Sequence, residues 1–226
     1  MEYIGFKKEC HSGKIHIYNG DCMDLLKQTP DKYYDLAIVD PPYGINASSR
    51  IFGGSNKGSV TNYEKKDWDK SIPDKEYFDE LFRVSKNQII WGANYFISRM
   101  PFDSSCWLVW DKQNTGYFSD CELAWCSFNS SVRKFAYRWN GMIQQNMKNK
   151  EKRIHPTQKP VSLYKWLLQN YAKEGDTILD THFGSLSIGI ACHDLGFELT
   201  AVELNEDYYE AGKKRLIEHQ KQLKIF

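Results

Sequence analysis

One stretch constrains the fold more than any other. It runs Thr177-Ile178-Leu179-Asp180, then Thr181-His182-Phe183-Gly184-Ser185-Leu186-Ser187-Ile188-Gly189-Ile190-Ala191, then Leu199-Thr200-Ala201-Val202-Glu203. The pattern reads as strand, tight glycine-containing turn, helix, strand and acidic end. A crossover of this kind lays its two strands parallel, and parallel strands need cover on both faces, so the chain is committed to a layered α/β sheet. This is also the logic of a nucleotide-binding unit, in which backbone approaches the ligand at the turn and a carboxylate on the next strand accepts from ribose hydroxyls. Glu203 follows Asp180 by 23 positions, near the expected interval of about 20. Gly184 alone could simply permit a left-handed turn; the flanking strands and Glu203 give it further meaning.

The rest of the chain alternates accordingly. Lys14 to Tyr18 reads as a strand, Asp21 to Gln28 as a short helix, and Tyr34 to Val39 as a strand ending at Asp40. Apolar positions Tyr77, Phe78, Leu81, Phe82 and Val84 predict a helix from Asp74 to Lys86. Strands are expected at Gln88 to Trp91, Cys106 to Trp110 and Glu122 to Phe128, with Trp91, Trp107, Trp110 and Trp125 as core. A helix from Ser162 to Lys173 presents Leu163, Trp166, Leu167 and Tyr171 on one face and stops at Gly175. The last helix has Asn205 as its cap, acids in its first turn and Lys213, Lys214 and Arg215 towards its end. This helix would feed into the strand at Lys14, giving a circularly permuted, doubly wound, mostly parallel α/β sheet with neighbouring termini. The strands ending at Asp180 and Asp40 would lie side by side, at the switch point where such sheets bind ligands. Residues 45–72 are long for a connector and are expected to cover the site.

Asp40-Pro41-Pro42-Tyr43 is the second informative string. Each proline fixes φ, removes a donor and pushes the residue before it into an extended form, so the carbonyls of Asp40 and Pro41 are held rigidly at a strand end. A carboxylate and a carbonyl so placed suit an exocyclic amino group such as that of adenine or cytosine. Its lone pair is delocalised into the ring, and two acceptors on its hydrogens would draw that pair out. Tyr43 offers a face on which an extruded base could stack. An ordinary turn after a strand accounts for the same four residues equally well when they are taken alone.

Charge is informative only when located. The chain carries 30 Lys and Arg against 29 Asp and Glu, but the segment from Asn129 to Lys159 carries +7 and the remainder −6. Arg133, Lys134, Arg138, Lys148, Lys150 and Arg153, interleaved with Trp139 and Gln144, suit a phosphate backbone and base edges. A solvated lysine-rich loop is the alternative for Lys148 to Arg153. Six scattered cysteines lack the Cys-x-x-Cys spacing and imply neither metal nor disulfide framework. No run of eighteen apolar residues and no secretion signal is seen, so a cytoplasmic protein without membrane contact is expected.

Taken with the segment His155-Pro156-Thr157-Gln158-Lys159-Pro160, these motifs resemble the S-adenosylmethionine-dependent DNA amino-methyltransferases of the beta group, in which the catalytic motif precedes the cofactor motif. The resemblance spans most of the chain and implies a Rossmann-like domain over 1–226, with 45–72 as a target loop and 129–158 as a small basic recognition insertion. It implies Asp40, Pro41, Pro42 and Tyr43 as catalytic residues. Asp21, Cys22, Thr157, Lys159, Pro160, Asp180, Phe183, Gly184, Ser185 and Glu203 would then surround S-adenosylmethionine. Asp21 and Cys22 read equally well as an ordinary helix start. Asp at position 40 is the form typical of adenine N6 rather than cytosine N4, so an enzyme methylating adenine in double-stranded DNA by base flipping is expected, a homodimer being common in the family. Thr181, His182 and Leu186 stand where the family has Pro, Phe and Gly. Rival readings are cytosine N4, an RNA acceptor, a silent DNA-binding partner subunit or, more weakly, a nicotinamide dehydrogenase.

Overall fold

The computed structural model describes residues 2–45, 69, 71–114, 119–140 and 143–222. Most of the 45–72 target loop therefore lies outside the described residues.

Strand β1 (Lys8–Ser12) and β2 (Ile15–Asn19) lead into helix α1 (Cys22–Gln28) and β3 (Tyr34–Val39). Helix α2 (Lys75–Val84), β4 (Ser85–Trp91), two 3-10 turns (Ala93–Tyr95, Ile97–Arg99), β5 (Trp107–Asp111) and β6 (Cys121–Cys126) follow. Next come β7 (Arg133–Ala136), β8 (Trp139–Asn140), β9 (Ile143–Gln144), α3 (Val161–Tyr171), β10 (Thr177–Asp180), α4 (Ser187–Leu195), β11 (Glu198–Glu203) and α5 (Glu206–Gln220). The main sheet has the order β1-β2-β11-β10-β3-β4-β6-β5-β7, and β8 pairs only with β9. The five strands from β2 to β4 run parallel, and β1 and β6 lie antiparallel to their neighbours.

Side chains alternate across this sheet as strand geometry requires. Leu36 and Ile38 enter the core built with Leu163, Leu167, Ile188 and Leu216 of α3, α4 and α5. Ala37 and Val39 enter the opposite core with Leu25, Phe78 and Leu81 of α1 and α2. Both faces are covered, as the apolar strands demand. Asp21, Asp74 and Asn205 cap α1, α2 and α5 by accepting from Met23, Tyr77 and Tyr208 backbone N–H groups.

The doubly wound order follows the sequence-based expectation, including the parallel pairing of β10 with β3. The chain ends are joined where Lys8 meets Glu206 and Glu210 at 2.8 and 2.7 Å, and Ser12 meets Gln220 at 2.7 Å. Helix α2 stops at Val84 rather than Lys86, because Ser85 already pairs with Tyr34 in the sheet. The basic segment is not wholly an insertion either. It opens with β7, which extends the main sheet alongside β5.

Candidate active site

β3 delivers Asp40 to the carboxyl edge of the sheet, where two prolines turn the chain and Tyr43 folds back. The Tyr43 hydroxyl donates to Asp40 Oδ1 at 2.6 Å. Its ring stacks on Tyr95 with centroids 5.1 Å apart and planes inclined by 15°. Asp69 secures the turn, its Oδ1 accepting from the backbone N–H groups of Tyr43 and Gly44 at 2.7 and 2.9 Å.

Lys159, expected to border the cofactor, reaches the end of β3. Its ammonium donates to Asp40 Oδ2 at 2.5 Å and lies 3.0 Å from Glu122 Oε2, with the side chain only 2% exposed. Glu122 in turn takes Lys112 at 2.5 Å on its other oxygen. Four charges thus alternate, Lys112, Glu122, Lys159, Asp40, which is how buried charge is tolerated. Burial works against the Lys159 ammonium, but Asp40 and Glu122 outweigh it and hold its pKa above the ordinary lysine value. Burial likewise raises Glu122, and the ammoniums of Lys159 and Lys112 reverse that, holding it down at about 2. Asp40 differs: burial, with the Glu122 charge behind it, lifts its pKa against the pull of Lys159.

The glycine turn follows β10. Asp180 is buried, and its Oδ1 accepts from the His182 N–H at 3.0 Å. Burial pushes its pKa up to about 8. Gly184 has φ 49°, and its N–H donates to Glu203 Oε2 at 2.9 Å, while Asn205 N–H donates to Oε1 at 2.8 Å. Phe183 and Ser185 are buried, Phe183 against Tyr209, so the turn offers a ligand mainly backbone. Arg215 clamps it from behind, donating to Ser185 O and Ser187 Oγ at 2.9 and 2.8 Å and to Glu151 at 2.7 Å.

The three departures from the family pattern have physical partners. Thr181 bonds the Tyr77 hydroxyl at 2.7 Å and His182 Nδ1 at 2.9 Å. His182 packs on Tyr77 and reaches Cys22 Sγ at 4.0 Å; burial holds its pKa at about 4, so the ring is neutral. Leu186 adopts φ 56°, a left-handed conformation, with its side chain wholly buried over Gly189 and Gly212, where a Cβ would meet it at 2.8 and 3.1 Å. The leucine therefore points into the core and leaves the ligand side of the turn bare.

Around the turn, His155 packs its ring on Tyr208 with centroids 4.2 Å apart and faces Gly184. Thr157 is exposed beside it, Pro160 is buried at the start of α3, and Asp21 caps α1 next to Cys22. In the basic segment, Arg133, Lys134, Arg138, Lys148 and Lys150 are exposed, and Arg153 is half-buried with its guanidinium on Pro156 O. Trp139 and Gln144 are corrections. The Trp139 indole is buried and donates to Gln158 O at 2.8 Å, and the Gln144 amide is buried on both backbone groups of Glu151 at 2.8 Å. Neither side chain is available to a base.

Sequence reasoning missed Glu122, Lys112, Asp69, Tyr77 and Arg215. For Glu122 a signal exists: it is the charged residue inside the otherwise apolar strand Cys121–Cys126. Asp69 and Tyr77 carry none, since each acts through a contact distant in sequence.

Residues 111–214 match the N6_N4_Mtase family model, described as DNA methylase. The chain is 26% identical to the type II methyltransferase M.HinfI of Haemophilus influenzae, covering 89% of this chain and 68% of that protein. It is 24% identical to the type II methyltransferase M2.DpnII of Streptococcus pneumoniae, with 91% of each covered. Among solved structures, the PvuII cytosine-N4-specific DNA methyltransferase superposes with a TM-score of 0.61 at 12% identity, covering 98% of this chain and 92% of the other. The M1.HpyAVI–SAM complex gives 0.55 at 21% identity, covering 89% and 100%. These two likenesses show the fold alone, the doubly wound α/β sheet described above.

Proposed function

We propose that this chain is a member of the N6/N4 family of DNA methylases and transfers the methyl group of S-adenosylmethionine to the N6 amino group of adenine in DNA. The observation that carries the reading is the pairing of β10 with β3. It brings the Asp40–Tyr43 strand end beside the 180–185 turn, at the point where the sheet's winding reverses.

The residues present fit the cofactor. A ribose diol needs acceptors, and the Glu203 carboxylate at the end of β11, beside Gly184, would supply them. Bare backbone at Gly184 and Ser185, with Leu186 turned inward, would receive the amino-acid part. Asp21 and Cys22 at the start of α1 would border the adenine ring, and Thr157 the outer rim. When bound, S-adenosylmethionine supplies an electrophilic methyl group on a sulfonium centre.

The chain's own work is positioning and polarisation. A target base extruded from the duplex would stack at Tyr43, whose other neighbours, Tyr95 and Gly92, hold its ring in place. Asp40 would accept one amino hydrogen and the Pro41 carbonyl the other, favouring a tetrahedral nitrogen with its lone pair free. Acceptors fixed before reaction avoid reorganisation during it. The surplus proton of the methylated amine then leaves towards Asp40 or water. Arg133, Lys134, Arg138, Lys148 and Lys150 would track phosphates. Asp rather than Ser at position 40 favours adenine over cytosine.

The test is to incubate unmethylated genomic DNA with the protein and S-adenosylmethionine and map modified bases by single-molecule sequencing. A parallel reaction with labelled cofactor offers RNA. N6-methyladenine at a fixed site supports the proposal, and N4-methylcytosine would overturn the choice of base. Methyl groups only in RNA, or none anywhere, would overturn the function.

A further inference from the structure

We propose that the Lys159 ammonium holds the place of the target amino group on Asp40 and yields it by moving onto Glu122, which makes Glu122 a positioning residue for the reaction. The inference rests on the reading of Asp40 as the acceptor of the amino group. Lys159 Nζ stands 2.5 Å from Asp40 Oδ2, 3.4 Å from the Tyr43 hydroxyl and 5.8 Å from the Tyr43 ring centroid. A base stacked at Tyr43 with its nitrogen on Asp40 would claim the same space. An ammonium left there would also repel the positive charge that the amine gains as it is methylated.

Glu122 supplies the second seat. Its Oε2 is buried and lacks an aligned hydrogen bond, although Lys159 Nζ is only 3.0 Å away. A small swing converts that contact into a hydrogen bond and frees Asp40 Oδ2. Charge stays balanced throughout, because Lys112 remains on the other Glu122 oxygen at 2.5 Å. Glu122, flanked by the ammoniums of Lys112 and Lys159 and held low by them, is the anchor, while Asp40 is the acceptor whose partner changes. The other titratable groups facing Asp40 are Tyr43 beside it, Asp180 of β10, Tyr77 of α2 and Tyr164 of α3. None of these carries positive charge, so Lys159 is the cation the site must move.

Glu122→Gln leaves Lys159 with Asp40 as its single anionic partner. Its kcat/KM for DNA should fall by about tenfold or more, with the Kd for S-adenosylmethionine unchanged within about twofold. Adding Lys159→Gln should then restore at least half of the lost activity on a logarithmic scale. The doubly substituted protein should show an acid limb of its pH profile at higher pH, as Asp40 now titrates without its ammonium. A purely structural Glu122 predicts the opposite, a double variant no faster than Glu122→Gln, and that result overturns the proposal. Glu122→Asp, which keeps the charge, must be faster than Glu122→Gln; equal rates would also overturn it. Should the unsubstituted protein transfer no methyl group to DNA, the assignment of Asp40 itself fails, an outcome visible before any variant is compared.

Discussion

Gly92 lays its bare Cα over the face of the Tyr43 ring, and a Cβ built there would fall inside the contact radius of Cε1, Cδ1 and Cζ. Gly92 also has φ 70°, a conformation that costs an L residue roughly 1 kcal/mol. Gly92→Ala should therefore displace Tyr43 from both Tyr95 and Asp40. We expect methyl transfer to fall by about a hundredfold, in keeping with the loss of a positioned group. Cofactor affinity, measured by calorimetric titration, should be little changed, because the 180–185 turn lies on other strands.

Asp40→Ala separates chemistry from cofactor binding. The substitution removes the carboxylate that accepts from Lys159 and Tyr43 and leaves the 180–185 turn intact. Transfer to DNA should drop by about three orders of magnitude, as for removal of a preorganised electrostatic group. The calorimetric Kd for S-adenosylmethionine should stay within a few-fold. Equal loss of both would contradict the division between β3 and β10.

Leu186 gives a stability test with an unusual order. Truncating a buried leucine to alanine costs about 2–5 kcal/mol, but here the residue is also left-handed at φ 56°. Glycine, normally the worse replacement, relieves that strain. Urea denaturation should find Leu186→Ala and Leu186→Gly both destabilised, with the glycine variant no less stable than the alanine variant. A glycine variant weaker by a further kcal/mol would mean that the turn relaxes once the side chain is gone.

The legible and illegible parts of this chain divide on physical grounds. Strand alternation, caps such as Asn205 and the Asp180-to-Glu203 interval are local patterns, and they place β3 beside β10 without any long-range information. The Asp40–Lys159 pair, by contrast, joins residues 119 positions apart. No local pattern could have told that the lysine of the His155–Pro160 segment reaches Asp40 at the end of β3. Trp139 and Gln144 failed for a related reason. Lying among lysines, they read as surface, yet from β8 and β9 each bonds the backbone of the segment that follows, Trp139 that of Gln158 and Gln144 that of Glu151. Composition reports the company a residue keeps in sequence, and burial is decided by company in space.

Asp180 predicts a pH dependence of stability. Its folded pKa is raised by burial to about 8, with Asp40 and Glu203 adding repulsion and Lys159 and the His182 N–H opposing it. An acid that holds its proton more tightly when folded lends stability at low pH and loses it as pH rises from about 4, its unfolded value, to about 8. Without ligand, Tm should decline between pH 5.5 and pH 8 by several degrees more in the native protein than in Asp180→Asn, which keeps the acceptor for His182. Parallel curves would show that Asp180 is ionised across the range. His182, with its pKa lowered to about 4 from an unfolded value of about 6.5, gains stability as pH rises towards 6.5, but it does so in both proteins and drops out of the comparison.

The basic segment yields the last expectation, because its exposed and buried members should behave differently. Lys148 and Lys150 are exposed, and neither has an ion-pair partner among the described contacts. If each neutralises a DNA phosphate, replacing both with alanine should flatten the slope of log affinity against log salt by about 2. Binding to cognate and unrelated DNA would weaken alike, since phosphates carry no sequence. Trp139→Ala should leave that slope unchanged and instead destabilise the fold by about 3–5 kcal/mol, the usual cost of emptying a buried aromatic site. Fluorescence anisotropy across a salt series, paired with urea denaturation, separates the two. An unchanged slope for the lysine pair would return Lys148 and Lys150 to the status of solvated surface charge and leave Arg133 and Lys134 of the edge strand, with Arg138 just beyond it, as the exposed basic residues to test next.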